Sequence, residues 1–231
     1  MFNELKERVL QANLDLVKHG LVKFTWGNVS EADRKNGVVA IKPSGVPYEQ
    51  MKAGDIVIVD FDGKTVDGAL RPSVDLATHL ELYRAYPAIG GITHTHSTFA
   101  TAFAQSGRPV IAFGTTHADY FYGDVPCARS LAKAELEKDY ERNTGKVIIE
   151  TVGKSDPMKI PAILVKNHGV FTWGKDGAAS VFIAAALEEA AKMAYLTRTL
   201  DGSVKRVSQD LLDIHYNRKH GKSATYGQKT P

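Results

Sequence analysis

DIVIVDFDGKTVDG, residues 55–68, decides how the rest of the chain is read: two short runs flank Asp62-Gly63, the pair that favours a tight reversal, so the stretch reads as a β-hairpin. A hairpin makes its strands antiparallel, which a regular βαβ alternation does not. Upstream, GLVKFTWGNVS (20–30) and GVVAIKPSG (37–45) read as two further strands closed by turn residues. Before them, Leu5, Val9, Ala12 and Leu16 fall on one face of a helix over 3–19, with Asn3 as N-cap and Gly20 as stop. Downstream, PSVDLATHLELYRAYP (72–87) reads as a helix capped by Ser73 and ended by Pro87, AIGGITHTH (88–96) as a strand, and Ser97 caps a helix running to Gly107. The remainder reads as a helix over 131–142, a strand at GKVIIETV (145–152), strands at 162–167 and 170–174, an Ala-rich helix over 177–199 and a last helix over 208–219. Adjacent strand pairs, and helices without regular alternation, predict one layered α/β domain with a largely antiparallel or mixed sheet.

Composition narrows the function. The chain has 231 residues, 43% of them hydrophobic, enough for one sizeable core. The net charge of +3 comes from interspersed Lys and Arg, with no basic block beyond NRKHGK (217–222), so nucleic acid is not an expected partner and a small anion is. Cys127 is the sole cysteine, which excludes an internal disulfide and any zinc site built from two cysteines of one chain. A metal must therefore rely on histidine and carboxylate. MFNELKERVL carries charge throughout and no run nears about 18 apolar residues, so neither signal peptide nor membrane partner is expected and the cytoplasm is the expected location.

His94 and His96 lie two apart on a strand, where alternate side chains share a face, so they converge on one side and can chelate. H-x-H also arises by chance, and a third ligand decides. His168 sits in LVKNHGVF, where an apolar strand ends in a sharp Asn-His-Gly turn. Asp75 falls in the first turn of the helix that starts near Pro72, where the helix dipole alone favours an acid, and His79 one turn later is a competing ligand candidate. Three imidazoles and a carboxylate suit tetrahedral Zn2+. TWGNVS and KPSGV each end a strand in a turn whose N–H groups and hydroxyls can face an anion; Lys42, Ser44 and Gly45, joined by Ser73, suit a single phosphate. Each turn taken alone is equally well structural, as with Asn28 bonding its own turn.

Taken in order, TWGNVS, IKPSGV, RPSVD, GGITHTHS, GTTHADYFYG, YERNTGKVIIET, NHGVFTWGK, HYNRKHG and YGQ resemble the L-ribulose-5-phosphate 4-epimerase family, relatives of the class II sugar-phosphate aldolases, from about residue 4 to 228. The resemblance implies a three-layer αβα fold and one Zn2+ per subunit, held by Asp75, His94, His96 and His168. It implies a substrate phosphate held by Gly27, Asn28, Lys42, Ser44, Gly45 and Ser73. Val74 stands where the family has a second serine, so its backbone N–H alone can serve there, and Val170 replaces a usual proline. Asp119 and Tyr226 match the acid and base, with Thr115, Glu141, His215 and Arg218 around the site. A homotetramer is implied, with sites between subunits and the segment 208–231 completing a neighbour's site.

The chemistry explains these groups. C4 of L-ribulose 5-phosphate is not acidic, because the carbonyl is at C2, so inversion to D-xylulose 5-phosphate needs cleavage and re-formation of the C3–C4 bond. The two epimers place the C4 hydroxyl on opposite sides, which calls for two proton shuttles. A class II aldolase would use the same histidines, but typically with glutamate in place of Asp75; a non-catalytic zinc fold would leave the anion turns and Asp119 without a use.

Overall fold

In the computed structural model, which describes residues 2–221 and 224–225, the hairpin forms at the sheet edge as β3 (Val57–Asp60) and β4 (Thr65–Asp67). Gly63 turns with φ 88°, and Asp60 Oδ1 accepts the N–H groups of Asp62 and Lys64, both at 2.9 Å, which closes the loop. β1 (Asn28–Asp33), β2 (Val38–Ile41), β5 (Gly91–Thr95), β6 (Cys127–Ala128), β7 (Ala162–Val165) and β8 (Val170–Gly174) complete an eight-stranded sheet. Its order is β4-β3-β2-β1-β5-β8-β7-β6. Every pairing is antiparallel except β6 with β7, so the sheet is mixed and largely antiparallel.

Alternation along the strands divides the core between two faces. Val39, Ile41, Val57 and Val59 pack with residues of α2 (Leu76–Ala85) and α6 (Tyr140–Val152). Their neighbours Val38, Ala40 and Ile58 pack with α1 (Asn3–Lys18) and α7 (Gly177–Leu200), giving three layers. The pair Gly90-Gly91 lets the start of α7 cross β5 closely: a Cβ on Gly90 would meet Lys175 O at 1.9 Å, and one on Gly91 would meet Asp176 C at 2.2 Å. Glu31, held by Arg8 at 2.8 Å, accepts the Gly177 N–H at 3.0 Å and ties α7 to β1. No helix of the described residues is long and apolar enough to cross a membrane.

Several local expectations are corrected. GKVIIETV is helical, the body of α6, because Thr144, Val147 and Ile148 share a buried face and Gly145 packs on α2, where a Cβ would come within 2.8 Å of Glu81 Cβ. A short apolar run fits either period, and packing against α2 decides. The helix expected over 131–142 breaks into α5 (Lys133–Glu137) and the start of α6, with Asp139 at φ 55° between them. Residues 20–27 are a loop rather than a strand, since Gly20, Phe24 and Gly27 all take positive φ. The N-cap positions of α1 and α2 are Phe2 and Asp75 rather than Asn3 and Ser73. Ser97 does occupy the N-cap of α3 (Thr98–Ser106), but the Glu188 carboxylate on α7, not the serine, accepts the N–H groups of Phe99 and Ala100. α4 (Thr115–Ala118) and α8 (Gln209–His220) complete the helices of the described residues; Ser208 caps α8 by accepting the Leu211 N–H at 3.3 Å.

Candidate active site

The β5/β8 register, with His94 opposite Phe171 and Thr95 opposite Val170, sets the turn between β7 and β8 beside the end of β5. Asn167 at φ 63° makes that turn. Gly169 lets it close, because a Cβ there would lie 2.7 Å from Thr95 O and 2.9 Å from His96 Cδ2. His168 is thereby carried to His94 and His96, and one ligand nitrogen from each of the three lies within 4.8 Å of the others. His94 Nδ1 donates to Val170 O at 2.9 Å, which leaves its Nε2 lone pair facing the cluster, 3.1 Å from His96 Nε2. Two imidazole nitrogens on a tetrahedral ion with bonds of about 2.0 to 2.1 Å stand about 3.3 Å apart, so the spacing fits a metal.

Burial, reinforced by the neighbouring His94, lowers the His96 pKa to about 4 and that of His168 to about 3. Both imidazoles are therefore neutral at pH 7, the form that binds metal. His79 is fully buried on α2, its Nδ1 2.7 Å from Ser30 Oγ, and burial lowers its pKa to about 3; it stands outside the three-imidazole group. The sign of the consequence is fixed: between about pH 6.5 and 3 the unfolded chain binds protons at these histidines that the folded chain does not. Urea unfolding of the metal-free protein is expected to give a lower midpoint at pH 5 than at pH 7.5, and an equal or higher midpoint would contradict neutral His79, His96 and His168.

Asp75 lines the same cavity at the N-cap of α2, and Asn28 Nδ2 donates to its Oδ2 at 2.7 Å. Burial pushes this carboxyl up, but its electrostatic interaction with His94 and His79 and the Asn28 bond outweigh it and hold the pKa below the usual range. Among the described residues no carboxylate joins the three imidazoles within 4.8 Å, so Asp75 sits beside the cluster rather than inside it.

The anion turns open into this cavity of about 470 Å³: Gly27, Asn28, Lys42, Ser44, Gly45 and Ser73 line it together with His94, His96 and His168. A bridge between Pro43 and Pro72, with Ser44 N–H donating to Arg71 O and Ser73 N–H to Lys42 O (both 2.9 Å), fixes the two turns against each other. Gly27 is required at φ 77°, where a Cβ would also lie 2.9 Å from His94 O. Lys42 is buried, which lowers its pKa, and its Nζ donates to Pro43 O at 3.3 Å and Val46 O at 3.0 Å. Val74 is exposed at the rim, and Glu141 lines the wall.

Asp119 belongs to a second cluster. It follows α4, its N–H donating to Thr115 O at 2.9 Å, and is met from α8 by His215 Nδ1 at 3.0 Å, Arg218 Nη2 at 3.1 Å and Lys219 Nζ at 3.4 Å. Burial pushes the Asp119 carboxyl up, yet the bonds from His215 and Arg218 outweigh it and hold the group ionised. Thr115, Asp119, His215 and Arg218 are thus brought together, but they do not line the histidine cavity of their own chain. Tyr226 lies outside the described residues.

The structure adds residues that sequence reasoning missed. Tyr140, the first residue of α6, lines the cavity with its hydroxyl 3.4 Å from His168 Nδ1. The signal was its place next to Glu141. Trp26, half exposed on the loop before β1, sets its ring 6.5 Å from that of His96. His220 joins the second cluster by donating to Asp119 O at 2.9 Å.

Residues 7–195 match the Class II Aldolase and Adducin N-terminal domain, and the chain belongs to that family. Among solved structures it is similar to an L-fuculose 1-phosphate aldolase at 27% identity, with a TM-score of 0.78 over 93% of this chain and 95% of that one. Two others share the fold. The L-fuculose 1-phosphate aldolase from Glaciozyma antarctica PI12 is 22% identical (TM-score 0.77, covering 97% of this chain and 84% of that one). YgbL from Escherichia coli, provisionally described as an aldolase/epimerase/decarboxylase, is 22% identical (TM-score 0.74, 92% and 97%).

Proposed function

We propose that the chain is an L-ribulose-5-phosphate 4-epimerase, a zinc-dependent isomerase of the cytoplasm that interconverts L-ribulose 5-phosphate and D-xylulose 5-phosphate by opening and remaking the C3–C4 bond. The observation that carries this reading is that three convergent imidazoles and the anion turns share one cavity. His94, His96 and His168, with Asp75 drawn in, would hold one Zn2+; when bound, the ion supplies Lewis-acid stabilisation of negative charge on the substrate's oxygens. Gly27, Asn28, Lys42, Ser44, Gly45 and Ser73 bind the phosphate, so the aldehyde released by C3–C4 cleavage stays anchored while its carbonyl turns to present the other face. Ionised Asp119 accepts the C4 hydroxyl proton on one face, and Tyr226 serves the other.

Because Asp119 does not line its own chain's cavity, the reading requires it and the segment 208–231 to meet the cavity of a neighbouring subunit, as in a homotetramer with sites between subunits. A class II aldolase is the second reading, favoured by the likeness to L-fuculose 1-phosphate aldolase. Asp75 in place of the glutamate typical of aldolases supports the epimerase.

The route is tested with substrate deuterated at C4 in ordinary water. Cleavage of the C3–C4 bond leaves the C4–H bond intact, so the xylulose 5-phosphate formed is expected to retain its deuterium; washout would overturn the route. Val74→Ser restores a hydroxyl at the phosphate turn and is expected to lower KM by about 3- to 10-fold at unchanged kcat, read from steady-state kinetics. An unchanged KM would place the phosphate away from residue 74.

A further inference from the structure

One stripe of α2 is polar and buried where a core helix ordinarily presents apolar groups. Asp75, His79 and Tyr83 follow one another at i, i+4 and i+8, and they face Asn28 and Ser30, which share a face of β1. Asn28 Nδ2 donates to Asp75 Oδ2 at 2.7 Å. Ser30 Oγ lies 2.7 Å from His79 Nδ1 and 2.8 Å from the Tyr83 hydroxyl. His79 and Tyr83 are both 0% exposed, so this ladder has no water to fall back on.

His79 is its unfinished rung: among the described residues its Nε2 is buried and has no hydrogen-bond partner. An orphaned buried polar atom is costly, so a partner is expected in the working state. Nε2 is not a fourth imidazole for a metal, because Phe171 stands between the rings, edge-on to His79 at 5.9 Å and stacked on His94 at 4.3 Å. The negative group that acts on His79 is Asp75, one helical turn before it. A neutral imidazole has a single N–H. The 2.7 and 2.8 Å contacts allow the Ser30 hydroxyl to donate to Nδ1 and that of Tyr83 to donate to Ser30, and in that arrangement the proton rests on Nε2, where it is available to a carboxylate.

We propose that His79 is a positioning residue: in the metal-loaded protein its Nε2–H holds the second oxygen of Asp75 while Asn28 holds the first, so that the carboxylate is delivered to the ion in one orientation. The inference rests on the metal-centre reading given above. A ligating carboxylate bonded from behind is better oriented, and losing such an outer partner costs about 10- to 100-fold in metal affinity.

The test separates the two ring nitrogens. His79→Asn keeps a polar group near the position of Nδ1 and removes Nε2, whereas His79→Gln places an amide N–H near Nε2; both remove the ring that packs on Phe171. Zn2+ affinity is measured by competition with a chromophoric chelator, and the stability of the metal-free forms by urea unfolding. The expected result is a 10- to 100-fold weaker Zn2+ affinity for His79→Asn, near wild-type affinity for His79→Gln, and equal loss of metal-free stability in both. Equal affinities in the two variants, whether wild-type or weakened, would overturn the proposal by making His79 a packing residue. Should His79→Asn not fold, Ser30→Ala carries the test: it frees the tautomer and is expected to weaken Zn2+ binding by a smaller factor, and unchanged affinity would overturn the proposal. Failure of the wild-type protein itself to bind Zn2+ would instead overturn the metal-centre reading.

Discussion

His168→Ala is expected to abolish Zn2+ binding at the proposed centre and to lower the proposed epimerase activity by about 10³-fold or more. The residue sits at the tip of a two-stranded turn, half-buried, and the turn closes through backbone bonds, Val165 N–H to Gly169 O at 2.9 Å and His168 N–H to Val165 O at 3.0 Å. Removing the imidazole therefore takes away a ligand while leaving the element that carries it. Two imidazoles and a neighbouring carboxylate remain, a weaker site, and a Lewis acid is worth several kcal/mol of charge stabilisation at about 1.4 kcal/mol per tenfold in rate. Atomic emission gives the zinc content and a coupled assay the rate. A variant that keeps full zinc and activity within tenfold of wild type would contradict the assigned centre.

Asp119→Asn is expected to separate proton transfer from metal binding. The side chain keeps its shape and can still accept a bond from Arg218, but it loses the charge that balances Arg218 and Lys219 and the basicity to take a proton. Loss of a positioned acid–base group costs about 10²- to 10⁴-fold in rate, while zinc stoichiometry is expected to stay at the wild-type level. Zinc loss in this variant would contradict the role. Because Asp119 also fastens α8 to the residue after α4, a thermal melt is needed beside the assay; a melt unchanged while activity falls supports the chemical role.

What the sequence made legible was local and periodic. The Asp62-Gly63 hairpin follows from turn chemistry, and the convergence of His94 with His96 from the two-residue period of a strand. The arrival of His168 was legible only as a functional turn, because its meeting with His94 depends on β8 pairing with β5 across 76 residues. GKVIIETV misled because a continuous apolar run suits either period until α2 is there to pack on. The anion turns, each ambiguous alone, gain meaning from the Pro43–Pro72 bridge that joins them, a contact no local pattern encodes. Tyr140 was overlooked because the break at Asp139, which aims the start of α6 at the cavity, depends on a residue at positive φ that is not glycine. His215 and Arg218 lie 96 and 99 residues from Asp119 on α8 and came into view only through resemblance.

On the proposed reading, one cavity both cleaves the sugar phosphate and keeps the fragments. The most direct measurement is to incubate the Zn2+-loaded protein with L-ribulose 5-phosphate and quantify D-xylulose 5-phosphate and free glycolaldehyde phosphate separately in the same time course. D-xylulose 5-phosphate is expected to approach equilibrium with the substrate, with almost no free glycolaldehyde phosphate. Stoichiometric release of glycolaldehyde phosphate would contradict it and make the protein an aldolase.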